Sequence, residues 1–170
     1  VVTDKWMLGT RNSFIIGISA TLLATALGTV AALGLSRPHM PFKGTIMAIL
    51  ISPMIVPLII TAAGMFFFYS KVGLTHSYLG LILAHTALGT PFVVITVTAT
   101  LTGFDTNLIR ASQSLGADTM RTFFKVIMPL ILPGVISGAL FAFITSFDEV
   151  VVVMFVGSVE QITIPKQMWA

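Results

Sequence analysis

Charge is scarce in this chain of 170 residues, because Asp, Glu, Lys and Arg together make up only 9% of it while 56% is hydrophobic. An average soluble domain carries about a quarter charged residues. The polar surface is therefore too small to solvate a globule of 18.2 kDa. This composition excludes a soluble single-domain enzyme and a disordered chain.

Cysteine is absent altogether, which excludes disulfides, thiolate metal sites and cysteine nucleophiles. The nine Lys and Arg residues exceed the six Asp and Glu residues. They are scattered between apolar segments, and no basic run is present that would neutralise a row of phosphates. Nucleic acid is therefore not an expected partner.

Motifs for nucleotide binding and catalysis are missing as well. The chain has no Gly-x-x-x-x-Gly-Lys-Ser/Thr segment, the loop that cradles the phosphates of ATP. Its histidines His39, His76 and His85 lie apart, and none is near a serine in a nucleophile elbow. We expect no catalytic residue, no metal and no cofactor bound by the chain itself.

Long apolar runs are what the sequence does contain. Four candidate membrane spans cover about residues 13–35, 44–69, 79–101 and 130–156, and each exceeds the roughly 20 residues that a helix needs to cross a bilayer. The runs are too long and too many for a signal peptide. The predicted fold is all-α, a polytopic bundle of transmembrane helices.

The orientation of these spans follows only weakly from charge. If the first and third connections are cytoplasmic, five Lys or Arg residues lie inside and four outside. The positive-inside rule favours this arrangement, but the margin is one residue. A second argument is needed.

Small residues and prolines mark the helix surfaces. Ala20, Ala24, Gly28 and Ala32 recur every fourth position of the first span, which predicts close helix packing. The other marks are five prolines at which we expect a kink or hinge: Pro53, Pro57, Pro91, Pro129 and Pro133. For Pro53 and Pro57, a moving hinge and a static bend remain equally open.

His85 is the only ionisable residue of the third span. A proton relay, a metal ligand and a hydrogen bond to another helix are all compatible with such a position. No histidine or carboxylate lies three or four residues away, so the spacing of a metal site is absent. The interhelical hydrogen bond is the favoured interpretation.

The connection at about residues 102–128 predicts two short helices. Asp105 or Thr106 is suited to cap a helix that runs to Leu115, and Gly116 suits the left-handed position that ends it. Asp118 is suited to cap a second helix over 119–128, which would lie in the membrane interface before Pro129 and Pro133 turn the chain back into lipid. The first helix is mostly polar, which favours docking onto another protein over a solvated loop.

This connection resembles the "EAA" loop of bacterial type I ABC importer permeases, in which a coupling helix inserts into a cleft of the cytoplasmic ATPase subunit. The resemblance rests on two groups of residues. The first group is Arg110, Ala111, Ser112, Gln113, Ser114, Leu115, Gly116 and Ala117, and the second is Phe123, Val126, Pro129, Leu130, Pro133 and Gly134. It also implies that this loop is cytoplasmic, in agreement with the charge count.

The resemblance extends over nearly the whole chain. Asn12-Ser13 at the start of a helix, Leu35-Ser36-Arg37 at its end and the segment 52–57 all fit. The segments 146–151 and 164–169 are most similar to permeases of the spermidine/putrescine branch. Members of the family usually have six spans, so we expect the chain to be part of a longer protein.

Two residues depart from the family pattern. Arg110 stands where the family usually has Glu, and Ser112 stands where it has its second Ala. A guanidinium in place of a carboxylate reverses the charge at the ATPase contact. The role of that glutamate is therefore not transferred to Arg110.

The resemblance implies an importer subunit of the bacterial inner membrane. Its expected partners are cytoplasmic ATPase subunits that use ATP and Mg²⁺, a second homologous permease, a periplasmic substrate-binding protein and the lipid bilayer. Residues expected to couple to the ATPase are Arg110, Ala111, Ser112, Ser114, Leu115, Gly116 and Ala117. The expected solute is a polyamine, with an opine, an amino acid or another small solute as the alternative.

The acids Asp148 and Glu149, with the neighbouring Phe147, are the candidate residues of the solute path. A carboxylate at membrane depth is costly unless it faces water, a partner or a substrate, and a path carboxylate would favour a cationic solute. A structural ion pair and a helix break near the outer surface remain open. Asp148, Glu149 and His85 are also the only groups that an ion-coupled secondary transporter could use here. A channel would need a pore loop, for which the short connections leave little room.

Overall fold

The computed structural model describes residues 2–37 and 39–169, with side chains from Asp4 onward. The described residues form helices joined by short connections, with no strand among them. The helices are α1 (Val2–Leu35), α2 (Lys43–Ile55), α3 (Leu58–Val72), α4 (Tyr78–Thr102), α5 (Asn107–Ser114), α6 (Thr119–Thr122), the π-helical segment Phe123–Ile127, α7 (Met128–Phe147), α8 (Val151–Val156) and α9 (Ile164–Met168).

Three helical stretches are long and apolar enough to cross a membrane, and a fourth span results if the bent pair α2–α3 is counted as one. The three are Asp4–Leu35, Tyr78–Thr102 and Thr119–Phe147. The prediction of an all-α bundle of apolar helices is confirmed. α4 continues through Pro91 as one helix.

The second predicted span is two helices, bent by 104° at the break. Val56 is extended (φ −70°, ψ 135°) and Pro57 follows with φ −52° and ψ 129°. A proline disfavours helical geometry at the residue before it, so Pro57 ends α2 at Ile55. Pro53 lies inside α2 and does not interrupt it. The expected break is therefore produced by one of the two prolines.

The core is a three-helix contact of α1, α4 and α7, which pack against one another more extensively than any other helices. The small-residue face of α1 is buried as predicted, since Ala20, Ala24 and Ala32 are at most 2% exposed. A Cβ at Gly89 of α4 would lie 3.0 Å from Ala142 Cβ of α7 and 3.4 Å from Ala24 Cβ of α1. The three backbones therefore meet at one level of the bundle.

α4 and α7 approach each other closely at two glycines. A Cβ on Gly138 would lie 2.5 Å from Thr96 Oγ1, and one on Gly134 would overlap Thr100 Oγ1. Both threonine hydroxyls donate to carbonyls one turn earlier in α4, so they need no partner from α7. Small residues allow the two backbones to come close, and the resulting van der Waals contacts stabilise the helix pair in lipid.

Two predictions for the last part of the chain are wrong. The helix that starts at Thr119 does not end at Pro129, because the π-helical turn Phe123–Ile127 joins it to α7 without a break. A π-turn adds one residue to the helical repeat and so accommodates a proline, which has no N–H to donate. The apolar stretch 130–156 is also not one helix, since α7 ends at Phe147 and α8 begins at Val151.

Candidate functional site

The short helix α5 lies on the surface at one end of the bundle. The Asp105 carboxylate accepts a hydrogen bond from the Asn107 N–H at 2.9 Å, so Asp105 rather than Thr106 supplies the side-chain cap. Gly116 adopts φ 83°, and Asp118 accepts from the Arg121 N–H at 2.7 Å. The predicted turn and second cap are confirmed, and none of the residues of α5 is buried.

The predicted coupling residues divide into two groups by exposure. The side chain of Leu115 is 89% exposed. Others of the set are exposed beside it, namely Arg110, Ala111, Ser114 and Gly116. Ser112 and Ala117 are half-buried and face the rest of the chain. The Ser112 Oγ lies 2.9 Å from the Thr122 Oγ1.

A cavity of about 670 Å³ lies on the far part of the molecule, beside the break between α7 and α8. Its lining includes both candidate acids, together with Leu58, Met154 and Trp169. The lining thus combines carboxylates with an indole and aliphatic side chains. A flexible cation with an alkyl chain matches that combination of groups.

The two acids differ in what their carboxylates do. Glu149 is 6% exposed, and its Oε1 accepts a hydrogen bond from the Val152 N–H at 2.8 Å. It therefore caps the N-terminus of α8, where a negative charge is favoured. Asp148 directly follows α7, is exposed and lines the cavity without capping a helix. One acid is structural in its contacts, and the other is available to a ligand.

Phe147 is placed differently from the acids with which it was grouped. Its ring centroid lies 5.5 Å from that of Phe14 and 5.4 Å from that of Phe143. Phe147 is not among the described residues that line the cavity. Successive residues of a helix point about 100° apart, which turns Phe147 toward α1 while Asp148 faces the cavity.

His85 makes the interhelical hydrogen bond that its position predicted. The Nδ1 atom lies 2.7 Å from the Ser146 Oγ of α7, and the histidine is 1% exposed. Among the described residues, no three His, Asp or Glu side chains are arranged to hold a metal ion. The bond connects α4 to the last turn of α7, just before the break that carries Asp148 and Glu149.

A polar cluster around Asn12 was not singled out by the sequence as a contact site. Asn12 does not begin a helix, because α1 extends back to Val2. Its Nδ2 donates to the carbonyls of Glu160 and Ile162 at 2.9 and 2.8 Å, and its Oδ1 accepts from the Tyr78 hydroxyl at 2.8 Å. Asn12 therefore fastens the loop before α9 to α1 and α4. The only sequence feature that could have indicated this contact is the polar amide of Asn12 at the edge of an apolar run.

The fold and these surfaces define a multi-pass membrane protein with a short helix exposed at one end. Residues 10–168 match the family described as the binding-protein-dependent transport system inner membrane component. The chain belongs to this family, whose members are transport permease components rather than catalytic subunits.

Several curated permeases are similar in sequence to this chain. The spermidine/putrescine transport system permease protein PotC of Haemophilus influenzae is 33% identical over 167 residues, which cover 98% of this chain and 65% of that protein. PotC of Escherichia coli K12 is 30% identical over 153 residues, covering 90% and 58%. The putrescine transport system permease protein PotI of Escherichia coli K12 is 30% identical over 172 residues, covering 95% and 60%. The chain thus spans less than two thirds of the length of these relatives.

A solved structure supports the fold. A chain of a bacterial ABC transporter involved in the import of the acidic polysaccharide alginate superimposes with a TM-score of 0.75 at 16% sequence identity, covering 97% of this chain and 57% of that one. At this identity the likeness concerns the fold alone. The predicted permease fold is confirmed.

Proposed function

We propose that this chain is the membrane-spanning part of a permease subunit that imports a polyamine such as spermidine or putrescine. The energy comes from ATP and Mg²⁺ used by separate cytoplasmic ATPase subunits. A periplasmic binding protein delivers the solute, and a second homologous permease completes the path in the bacterial inner membrane. The names of the PotC and PotI relatives support the solute class.

The observation that carries the proposal for this chain is the environment of Asp148. Asp148 is exposed and lines the cavity of about 670 Å³, and Trp169 also lines it. An ammonium group gains a charged hydrogen bond from the acid, and the indole face attracts a cation or covers the methylene chain. Glu149 also lines the cavity, but its Oε1 already accepts the hydrogen bond from the Val152 N–H, so Asp148 is the better candidate for this role.

The exposed helix α5 supports the link to an ATPase. Leu115 projects into solvent next to the turn at Gly116, and an apolar side chain in such a position gains free energy only when a partner covers it. ATP-driven closure of the ATPase pair would then displace α5 and, through it, the spans.

The test is ATP hydrolysis and solute uptake by the full complex in proteoliposomes, with and without binding protein and spermidine. Leu115→Asp should abolish solute-stimulated hydrolysis while the complex still assembles in the membrane. If Leu115→Asp abolishes coupling but neither spermidine nor putrescine stimulates hydrolysis, the importer function is supported and the polyamine is contradicted as its solute. Unchanged hydrolysis and uptake in Leu115→Asp would contradict ATP coupling and favour an ion-coupled secondary transporter.

The matched pair Asp148→Asn and Glu149→Gln tests the path. Both changes remove one negative charge and preserve the side-chain shape. Since a hydrogen bond to a charged group contributes about 1.5–3 kcal/mol, Asp148→Asn should raise the KM for spermidine about ten- to a hundredfold. Glu149→Gln retains an acceptor oxygen for the Val152 N–H, so its KM should stay near that of the unsubstituted protein. The reverse order of effects would assign the path to Glu149.

A further inference from the structure

The surface helix α5 is poorly attached to the bundle. None of its residues is buried, and a cavity of about 390 Å³ lies between α5 and the ends of α1, α4 and the π-helical segment. Ile109 of α5 and Leu33, Leu101 and Phe123 of the bundle face this space. Apolar packing therefore transmits little force from α5 to the spans.

Among the residues that the structure describes, one side-chain hydrogen bond joins α5 to the helix that leads into α7. The Ser112 Oγ of α5 lies 2.9 Å from the Thr122 Oγ1, and Thr122 is 3% exposed. The Ser112 hydroxyl also donates to the Ile109 carbonyl at 2.8 Å. A serine hydroxyl has a single hydrogen, so Thr122 is the donor in the bond between them. Burial of Thr122 shields this bond from competition by water.

Thr122 lies at the base of a spanning helix. It is the last residue of α6, and the π-helical segment and α7 follow without a break. A displacement of Thr122 therefore acts on a helix that continues to Phe147, the residue before Asp148.

We propose that the hydrogen bond between Ser112 and Thr122 is the link through which α5 moves α7, which makes both of them positioning residues for coupling. The inference rests on the proposed function and deepens it. Ser112 stands where the resembling family has alanine, which has no hydroxyl. The link is therefore a property of this chain, in addition to the turn that joins α5 to α6.

A double-mutant cycle tests the link. The variants are Ser112→Ala, Thr122→Val and the double variant, and the readout is ATP hydrolysed per spermidine imported by the full complex. A bond of about 0.5–1.5 kcal/mol corresponds to a rise of about two- to tenfold in this ratio. The double variant should match the single variants, because each of them already removes the same bond.

Controls separate coupling from stability. Thr102→Ala deletes a hydroxyl that bonds only to the Thr98 carbonyl of its own helix at 2.9 Å, so the ratio should not change. Thr122→Ser keeps a hydroxyl and should retain most of the coupling. Equal ratios in Ser112→Ala and the unsubstituted complex would overturn the inference, and so would multiplication of the two single effects in the double variant.

A reversible link gives a second test that does not depend on the folding of Thr122→Val. The sequence contains no cysteine, and the side chains of Ser112 and Thr122 are in contact, so a cysteine pair can be introduced at these two positions alone. In the pair S112C and T122C, oxidation should keep the ratio low and reduction should raise it. The unsubstituted complex receives the same redox treatment. A ratio that is identical in both redox states refutes the link.

The two proposals fail in distinguishable ways. If Leu115→Asp uncouples hydrolysis while Ser112→Ala does not, the importer function stands and the link is wrong. If neither variant has an effect, both proposals fall.

Discussion

Replacement of Asn12 by alanine should release the loop before α9. The amide is 0% exposed and makes two donated bonds, to Glu160 and Ile162, and one accepted bond, from Tyr78. Each bond contributes about 1 kcal/mol, and a buried carbonyl left unpaired costs about 1–3 kcal/mol. The Tyr78 hydroxyl keeps a weak contact to the Glu160 carbonyl at 3.4 Å, which offsets part of the loss. We therefore expect Asn12→Ala to cost about 2–4 kcal/mol in local stability.

The assay is hydrogen exchange by mass spectrometry of the full protein in nanodiscs. A cost near 3 kcal/mol speeds local opening about a hundredfold, and it should appear in the peptides around residues 157–164. The Ile164 N–H is the most direct reporter, because it donates to the Ser13 Oγ at 2.9 Å. Peptides from the middle of α4 should exchange as before.

Thr10→Ala is the matched control. The Thr10 hydroxyl lies on the same helix but bonds only to the Trp6 carbonyl, at 2.8 Å, and it is exposed. Its loss should change stability by less than about 0.5 kcal/mol. Exchange in Asn12→Ala as slow as in this control would show that the three bonds do not hold the loop, and the reasoning would fail.

Two further predictions concern the core and the surface. Gly134→Ala should destabilise the protein by about 1–3 kcal/mol, because the new methyl group overlaps Thr100 Oγ1. Addition of Thr100→Ala should recover part of the loss in the thermal midpoint, and an equal loss without any recovery would place the strain elsewhere. If α5 contacts an ATPase subunit as proposed, Arg110→Glu should weaken that contact by about 1 kcal/mol at low salt, because it reverses a charge on the exposed face of α5. A co-purification assay at two salt concentrations measures this, and tighter binding would mean that the partner favours the family's usual glutamate.

Features that depend on local chemistry could be predicted from the sequence. The lengths of the apolar runs predicted the bundle, and the cap at Asp118 and the left-handed Gly116 follow from side-chain chemistry within a few residues. A break in the second span could be predicted, but it could not be assigned to Pro57, because Pro53 lies four residues earlier in the same apolar run. The apolar run does not show which of the two prolines ends the helix.

Features that depend on distant partners could not be predicted. Asn12 bonds to carbonyls that lie 148 and 150 residues further along the chain, and no local pattern encodes such a pairing. The separation of roles between Asp148 and Glu149 follows from the break that ends α7 at Phe147, which an apolar run does not reveal. The same limit applies to Ser112, whose partner Thr122 belongs to the next helix.

The meeting of α1, α4 and α7 at Ala24, Gly89 and Ala142 has a mechanical consequence. Long side chains between two helices can change rotamer as the helices slide past each other. At this level only methyl groups and a glycine hydrogen lie between the backbones, so sliding would require the backbones themselves to separate. Sliding of the three helices past one another is therefore disfavoured at this level. The elbow at Pro57, the break after Phe147 and the π-turn beneath α7 lie outside that contact and are freer to change shape.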